Sequence, residues 1–335
     1  MNWGDAVKVI FMGTPDFSVV SLERLESSND IEIMAVVTQP DKPRGRGQKM
    51  RPTPVKKKAV DLGIDVLQTK NVNEANFLDK LRELSPDIII VVAFGQMLSK
   101  KLLELPKYAC INLHASLLPE YRGAGPIHQV ILDGKEFTGV TTMYMAEGWD
   151  TGDMIYKEKV EIDRQDTVGI LHDKLADIGA DLLVKTLIGI EKGAAPREEQ
   201  NHEKATYASK IDKTTGEIDW SNSSEKIYNQ VRGVNPWPGA YTYHQGEMLK
   251  IWKCSIKENK DIAKDIDDAN AYINNKSVNQ FPVGYIVKAN SKEGLFIKTS
   301  DGIIEIIELQ MAGRKRMSAK DFLHGYTIDN GSLLG

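Results

Sequence analysis

Short apolar runs alternate with segments of helical periodicity through the first half of the chain. Apolar runs at 7–13, 31–37 and 87–93 predict strands, and the last of these, DIIIVVA, is hydrophobic enough for a central parallel strand covered on both faces. Helical spacing predicts helices at 16–28 and 74–84. The remaining predicted strands lie near Val66 and at 108–113, 138–146 and 153–161. The remaining predicted helices are a short one after residue 54, a short Leu-rich one before residue 108, one at 126–133 and a long one from Asp166 onward. This alternation predicts a doubly wound, mostly parallel, Rossmann-like α/β domain over residues 1–191.

The pattern changes in the second half of the chain. Residues 192–208 show no periodicity and are predicted to form an ordered linker. After one helix at 224–231, short alternating segments follow, separated by Gly and Asn: AYTYHQG, MLKIWKCSI, GYIVKAN, GLFIKTS and GIIEIIELQ. Strands of this length and spacing favour a small antiparallel β-barrel of the oligonucleotide-binding (OB) type over residues 209–335, although such a barrel does not by itself say what it binds.

Composition is that of an ordinary folded chain with room for two domains. The 335 residues are 41% apolar and 27% charged. No run approaches the roughly 18 apolar residues that span a bilayer, and residues 1–11 lack a signal-peptide pattern, so we expect a cytosolic protein without membrane contact. The two cysteines, Cys110 and Cys254, lie far apart in apolar segments, which predicts buried, reduced thiols rather than a disulfide or a metal site.

Charge is unevenly distributed along the sequence. The formal net charge of -4 argues against a polyanionic partner. Residues 41–60, however, hold eight basic residues against one acidic residue. A basic run of this kind is often only a solvated loop, but it is also a surface that can bind phosphates.

Candidate chemistry is concentrated in two segments, INLHASLLPEYRGAGP at 111–126 and GWDTGDM at 148–154. Asn112 and His114 are two residues apart at the end of a predicted parallel strand, so their side chains share the edge where open α/β sheets bind ligands. A carboxamide beside an imidazole suits stabilisation of an oxyanion, and a nearby carboxylate could remove a proton from an attacking amine. The sequence has no Gly-x-Ser-x-Gly elbow and no activated cysteine, which favours direct attack of one bound substrate on another.

Other interpretations of these residues stay open at this point. An isolated Asn-x-His pair at a strand end often serves only in capping or in core hydrogen bonding. A metal site built from His114 and Asp150 lacks a spaced set of His, Cys or Glu, so no metal is expected. The sequence GTPDF at 13–17 lacks the G-x-G-x-x-G spacing of a dinucleotide site.

Taken together, the motifs resemble the methionyl-tRNA formyltransferase family. The run N-x-H-x-SLLP-x-Y-RG-A-x-P followed by G-x-DTGDM carries the resemblance. Five more segments extend it over essentially the whole chain: FMGTPDFSV, TQPDKPRGRG at 38–47, AFGQML at 93–98, NPWPGA at 235–240 and AGRKRMSAKDFL near the end. Other 10-formyltetrahydrofolate transferases, including the shorter enzyme that formylates glycinamide ribonucleotide, share the Asn, His, Asp and SLLP elements. The basic insertion and the C-terminal barrel are what favour methionyl-tRNA as the acceptor.

The resemblance implies transfer of the formyl group of 10-formyltetrahydrofolate to the amino group of methionyl-initiator tRNA, by an enzyme expected to be a monomer. Asn112 and His114 would then polarise the formyl group and stabilise the oxyanion. Asp150 would hold the imidazole and help to move the amine proton. Asp153, three residues later, is the rival carboxylate and is interpreted as a turn residue.

The resemblance also implies the binding residues. The predicted folate contacts are Ser116, Leu117, Leu118 and Pro119 together with Phe94, Gly95, Gln96, Met97 and Leu98, with core packing as the alternative for the two leucines of SLLP. The predicted tRNA contacts are Arg46, at the position of the family's key arginine, and Lys42, Arg44, Lys49 and Arg51. An arginine can pair with phosphate or stack on a splayed base, which suits that role. Contacts from the C-terminal domain stay open, with the loop 235–238 and the basic residues 314–316 as candidates, and Trp237 is interpreted as structural.

Two other functions stay open. An enzyme that formylates an amino sugar nucleotide would use the same three catalytic residues, and the basic insertion and the barrel count against it. An RNA-binding protein that had lost catalysis would keep only the tRNA contacts, and the intact Asn112, His114 and Asp150 count against that. Turnover separates the two classes, because a binding module would show salt-dependent tRNA affinity without formyl transfer.

Overall fold

The computed structural model of the chain describes residues 6–44, 47–257 and 281–335. They form two compact units. The first holds the described residues of Met1–Pro126, Phe137–Glu161 and Leu171–Ser209, and the second those of Ile127–Glu136, Ile162–Ile170 and Lys210–Gly335. Residues 192–208, predicted as a linker, thus pack within the first unit. The domain boundaries at 191 and 209 stay predictions.

A seven-stranded sheet forms the centre of the first unit. Its strands are β1 (Val7–Gly13), β2 (Ile31–Thr38), β5 (Val66–Gln68), β6 (Ile88–Val92), β7 (Ala109–His114), β9 (Phe137–Tyr144) and β10 (Met154–Glu161). In the order β5-β2-β1-β6-β7-β9-β10, the first five strands run parallel, and antiparallel pairings join β9 to β7 and β10 to β9. The predicted mostly parallel, doubly wound sheet is confirmed. The direction in which strands are added reverses between β1 and β6, where such sheets form a ligand crevice.

Helices follow the strands much as their periodicity predicts. They are α1 (Phe17–Glu26), α2 (Pro54–Asp61), α3 (Ala75–Glu83), α4 (Lys100–Leu103), α5 (Pro126–Leu132), α6 (Val168–Glu191), α7 (Ser224–Gly233) and α8 (Ala319–Gly325). Every residue of the central strand β6 is buried, as its uninterrupted apolar sequence predicts. Of the helices in the described ranges, none has the length and apolar character needed to cross a membrane.

The basic insertion differs from the prediction of a loop. Strands β3 (Lys42–Arg44) and β4 (Lys49–Arg51) pair antiparallel, with Lys42 opposite Arg51. Strands this short, made of charged residues and Pro43, have no apolar alternation by which the sequence could reveal them. Arg46, between the strands, lies outside the described residues.

The second unit contains an antiparallel sheet. Its strands are β12 (Ala240–His244), β13 (Glu247–Lys257), β14 (Ile286–Asn290), β15 (Gly294–Lys298), β16 (Ile303–Met311) and β17 (Met317–Ser318). They lie in the order β12-β13-β16-β15-β14, with β17 paired to β16. Alternate residues of these strands, including Leu249, Ile251 and Ile297, form a buried core with Trp220. The predicted antiparallel strands are confirmed, and closure of the sheet into an OB-type barrel stays a prediction.

Candidate active site

Two of the predicted catalytic residues lie at the carboxyl end of β7. His114 is the last residue of the strand, and Asn112 is two positions earlier, on the same face. Both are nearly buried, with 8% of Asn112 and 6% of His114 exposed. Asp150 lies between β9 and β10, and β9 is the antiparallel neighbour of β7. The pairing of these strands therefore brings the two sequence motifs together.

Three contacts set the geometry of His114 and Asp150. His114 Nε2 lies 2.9 Å from the carbonyl oxygen of Tyr121. Because a carbonyl oxygen only accepts, Nε2 carries the hydrogen, and Nδ1 is the nitrogen 3.6 Å from Oδ2 of Asp150. The same Oδ2 accepts a 2.8 Å hydrogen bond from the N–H of Gly123. A backbone donor thus holds the carboxylate beside the imidazole nitrogen that can take up a proton.

Asn112 contributes a carboxamide that the protein leaves unused. Within the described ranges, no residue forms a hydrogen bond with this side chain. Its amide atoms are not among the fully buried side-chain atoms without a partner, so they are accessible from solvent. The arrangement is typical of a group kept for a ligand.

Asp153, the rival carboxylate, has a different environment. Its Oδ2 accepts a 2.6 Å hydrogen bond from Nε of Arg197, and its carbonyl oxygen accepts one from the N–H of Tyr144. The structure thus brings Asp150, rather than Asp153, to His114. The interpretation of Asp153 as a turn residue agrees with this geometry.

The first predicted folate segment, 94–98, follows the central strand β6. Phe94 and Leu98 are buried in the core of the first unit, whereas Met97 is 42% exposed. Gln39 donates to the carbonyl oxygens of Phe94 and Gly95, at 3.3 and 3.4 Å. The segment is therefore anchored through its carbonyl groups, and the side chain of Met97 is left exposed.

The second predicted folate segment, 116–119, is also held in place by hydrogen bonds. The hydroxyl of Ser116 donates to the carbonyl of Glu120 at 2.6 Å, and Thr141 accepts from the N–H of Leu118 at 3.1 Å. Leu118 is buried against Met143, so core packing accounts for its side chain. Leu117 and Pro119 are only half-buried. The folate contacts of both segments stay predictions.

The strands of the basic hairpin (β3 and β4) start from a hydrogen-bonded base. Asp41 Oδ2 accepts a 2.8 Å bond from Lys56 Nζ, and Gln68 donates to Asp41 Oδ1 at 2.8 Å. These bonds, first that from Lys56, hold the pKa of the Asp41 carboxyl below its usual range. The backbone of the strands is thereby fixed, while the side chains of Lys42, Lys49 and Arg51 are exposed.

Several residues around the site are not recognisable from the sequence pattern. Arg122 and Gln200 are almost completely buried next to the Asp150 turn, and Thr206 bonds to the backbone beside His114. Arg122 belongs to the segment 111–126, which draws attention for its other residues. Gln200 and Thr206 lie in a stretch without periodicity, where no sequence signal points to a functional role. The described residues contain no group of three side chains able to hold a metal ion.

Comparison with known proteins gives a consistent result. The formyl transferase family model matches residues 7–187, and the model of the formyl transferase C-terminal domain matches residues 210–327. The methionyl-tRNA formyltransferases of Halothermothrix orenii and Clostridioides difficile are 56% and 48% identical, each over 98% of this chain and 100% of its own length. An N-formyltransferase from Helicobacter canadensis, in complex with folinic acid and dTDP-3-aminofucose, superposes with a TM-score of 0.62 at 22% identity, covering 90% of this chain and 98% of that chain.

Proposed function

The chain belongs to the methionyl-tRNA formyltransferase family, and on that premise we propose how its own residues carry out the reaction. The protein transfers the formyl group of 10-formyltetrahydrofolate to the amino group of methionyl-tRNA. The proposal itself is that the acceptor is the initiator tRNA, that Asn112, His114 and Asp150 are the catalytic residues, and that the basic hairpin contacts the tRNA.

One observation carries the catalytic part of the proposal. A nearly buried carboxamide without a protein partner, Asn112, lies on the same strand face as an imidazole whose Nδ1 is 3.6 Å from a carboxylate. The first group can donate to an oxyanion, and the other two can accept a proton. Acyl transfer to an amine needs both functions.

The co-substrate supplies a formyl carbon that an amine can attack, with a folate nitrogen as leaving group. Asn112 donates its amide N–H to the formyl oxygen, where negative charge grows, and such a donor contributes about 10²–10³ in rate. The proton from the amine passes to the pair formed by Asp150 and Nδ1 of His114, and from this pair to the folate nitrogen as its bond to the formyl carbon breaks. Proton transfer by a positioned side chain contributes about 10²–10⁴. Protonated at Nδ1, His114 becomes a second group that stabilises the oxyanion.

Residues 94–98 and 116–119 form the proposed folate site. Both segments are held by hydrogen bonds of their own carbonyl and hydroxyl groups, so a pterin ring would meet backbone that is already ordered. Preorganised groups bind without the entropic cost of being immobilised. Met97 and Leu117 offer apolar side chains at the surface of the two segments.

The basic hairpin is the proposed tRNA contact. Lys42, Lys49 and Arg51 are exposed on strands whose base is fixed by Asp41, which suits contacts with phosphates. Arg44 and Arg46 complete the proposed set, with Arg46 at the end of the acceptor stem. We also propose that the protein acts as a monomer in the cytosol, with the free and buried Cys110 and Cys254 reduced.

The test is formyl transfer from 10-formyltetrahydrofolate to charged initiator and elongator methionyl-tRNA, with His114→Ala as the control. The expected result is a product from the initiator tRNA that is lost, by roughly 10²-fold or more, in the variant. Formylation of a dTDP-linked amino sugar instead of tRNA would overturn the acceptor. Salt-dependent tRNA binding without turnover would leave an RNA-binding protein as the interpretation.

A further inference from the structure

Residues 197–208, referred to below as the arm, contact the catalytic segment in a way that the proposed function does not use. Strand β11 (Tyr207–Ala208) of the arm pairs with β8 (Arg122–Gly123). Thr206 Oγ1 accepts a 2.8 Å hydrogen bond from the N–H of Tyr121. The carbonyl of Thr206 accepts one of 2.9 Å from the N–H of Arg122.

Successive backbone groups of residues 121–123 bind alternately to the arm and to the catalytic pair. The carbonyl of Tyr121 holds the His114 ring, and the N–H of Gly123 holds the Asp150 carboxylate. The N–H groups of Tyr121 and Arg122, which flank that carbonyl, bind the arm at Thr206. A shift of the arm would therefore move both partners of the catalytic pair.

Gln200 makes most of the side-chain hydrogen bonds between the arm and the catalytic segment. It is 2% exposed and uses all of its hydrogen-bonding groups. Its Oε1 accepts from Nε and Nη2 of Arg122, at 3.0 and 2.6 Å. Its Nε2 donates to the carbonyl oxygens of Asp150, at 2.9 Å, and Gly152, at 2.7 Å. One side chain thus joins the segment that holds His114 to the turn that carries Asp150.

The Asp150 turn needs such support. Asp150 has φ +53°, in the left-handed region that non-glycine residues rarely adopt. At Gly152, a Cβ atom would lie 1.7 Å from the carbonyl oxygen of Tyr144, so the turn is pressed against β9. A backbone conformation of this kind persists only where surrounding contacts hold it, and the two bonds from Gln200 are such contacts.

Arg122 gives a second indication that this contact fixes the geometry of the site. Arg122 is 1% exposed, and among the described residues its guanidinium forms hydrogen bonds only with the uncharged side chain of Gln200 and the ring of His202. Burying a cation without a carboxylate costs stability rather than adding to it. Its contribution must therefore be geometric.

We propose that Gln200 and Arg122 are positioning residues, which act by fixing the Asp150 carboxylate relative to His114 through the arm. This rests on the proposed function, because the reaction has to depend on Asp150. Neither residue needs to touch a substrate. Loss of the support should therefore lower kcat, and the KM values for folate and tRNA should change little.

The test is Gln200→Glu. The new side chain has the same shape and can still accept from Arg122, but it cannot donate to the carbonyls of Asp150 and Gly152. We expect kcat to fall by about 10- to 100-fold, as for other residues that orient catalytic groups, with KM values within about threefold. Thr242→Val is the matched control, since it removes a buried hydrogen bond from Trp220 within the second unit. It should lose comparable stability and keep kcat.

A double-mutant cycle with Asp150→Asn separates positioning from a general structural role. If Gln200 acts through Asp150, Gln200→Glu should cost less than about threefold once the carboxylate is gone. An unchanged kcat in the single variant would overturn the proposal, and so would an equal loss in both backgrounds. If Gln200→Glu does not fold, Arg122→Lys takes its place in the cycle, with an expected loss of about tenfold. Lack of formyl transfer by the unaltered protein would instead refute the proposed function.

Discussion

Replacing Asp150 by Asn tests the catalytic pair with little disturbance of the fold. An asparagine oxygen can still accept from the N–H of Gly123, which holds the carboxylate at 2.8 Å. Asparagine also tolerates the left-handed backbone of this position, φ +53°. The change that remains is the loss of a negative charge 3.6 Å from Nδ1 of His114.

The size of the effect follows from that distance. The attraction between a carboxylate and an imidazolium at 3.6 Å is about 1 kcal/mol at the dielectric constant of water and about 5 kcal/mol at an effective value of 20. Because the side chains are only 7% and 15% exposed, water screens the pair weakly, and the upper half of this range applies. At 1.36 kcal/mol per factor of ten, kcat should fall by about 10²–10⁴.

The assay is single-turnover formylation of methionyl-tRNA at saturating 10-formyltetrahydrofolate, with thermal unfolding to show that the variant is folded. Asp153→Asn is the matched control, because it removes a carboxylate of the same turn that pairs with Arg197. It should leave kcat within about threefold, because a surface ion pair contributes little and the arm stays bonded to the turn through Gln200. A large loss in Asp153→Asn together with near-normal activity in Asp150→Asn would refute the reasoning and exchange the roles of the two residues.

Three further predictions concern other parts of the molecule. Burial raises the pKa of both Cys110 and Cys254 to about 12, so that about one thiol in 10⁴ is a thiolate at pH 8. Both thiols should therefore resist alkylation until the protein is denatured. Rapid labelling of the native protein, detected by mass spectrometry, would contradict this. Because the Lys56 and Gln68 bonds lower the pKa of Asp41 from its ordinary 3.8, they stabilise the hairpin base above about pH 4, and this stability is lost as pH falls through the lowered pKa. Asp41→Asn should accordingly raise KM for tRNA several-fold at neutral pH with kcat retained, and a fall in kcat alone would count against the hairpin as a tRNA contact. Both ring nitrogens of His244 are buried without a hydrogen-bond partner in the described part of the chain. His244→Phe should therefore leave the free energy of unfolding unchanged or raise it by about 1 kcal/mol. A loss above about 2 kcal/mol, measured by thermal unfolding, would refute this.

The regular elements were predictable because their periodicity reflects burial. Strand β6 is buried at every position, and α3 begins and ends within one residue of the predicted segment 74–84. Helix α8 is not among the predicted elements, although Ser318 followed by Asp321 is a helix-start signature. In the structure, the Ser318 side chain accepts a hydrogen bond from the N–H of Asp321. The hairpin strands could not be predicted, because no apolar pattern marks them.

The residues of the candidate site also differ in how far the sequence predicts them. Spacing along one strand was enough to place Asn112 and His114 on the same face, and resemblance to a family selected Asp150. The 3.6 Å distance between His114 and Asp150 depends on the pairing of β7 with β9, which spacing alone does not determine. Gln200 could not be predicted, because its hydrogen bonds to Arg122, Asp150 and Gly152 join segments that are remote in sequence.

Backbone strain explains why such remote residues are needed. Tyr121 and Asp150 both have left-handed backbones, at φ +57° and +53°. A conformation of this kind costs a non-glycine residue of the order of 1–3 kcal/mol, with a smaller cost for aspartate than for tyrosine. These are the two residues whose carbonyl and carboxylate flank His114. The arm bonds to the backbone of both, through Thr206 and Gln200. Each strained residue would relax to a more ordinary conformation without these bonds, and relaxation would move the group that it presents to the imidazole. The rate of transfer should therefore depend on an arm that follows Asp150 by some fifty residues in the chain and need not contact either substrate.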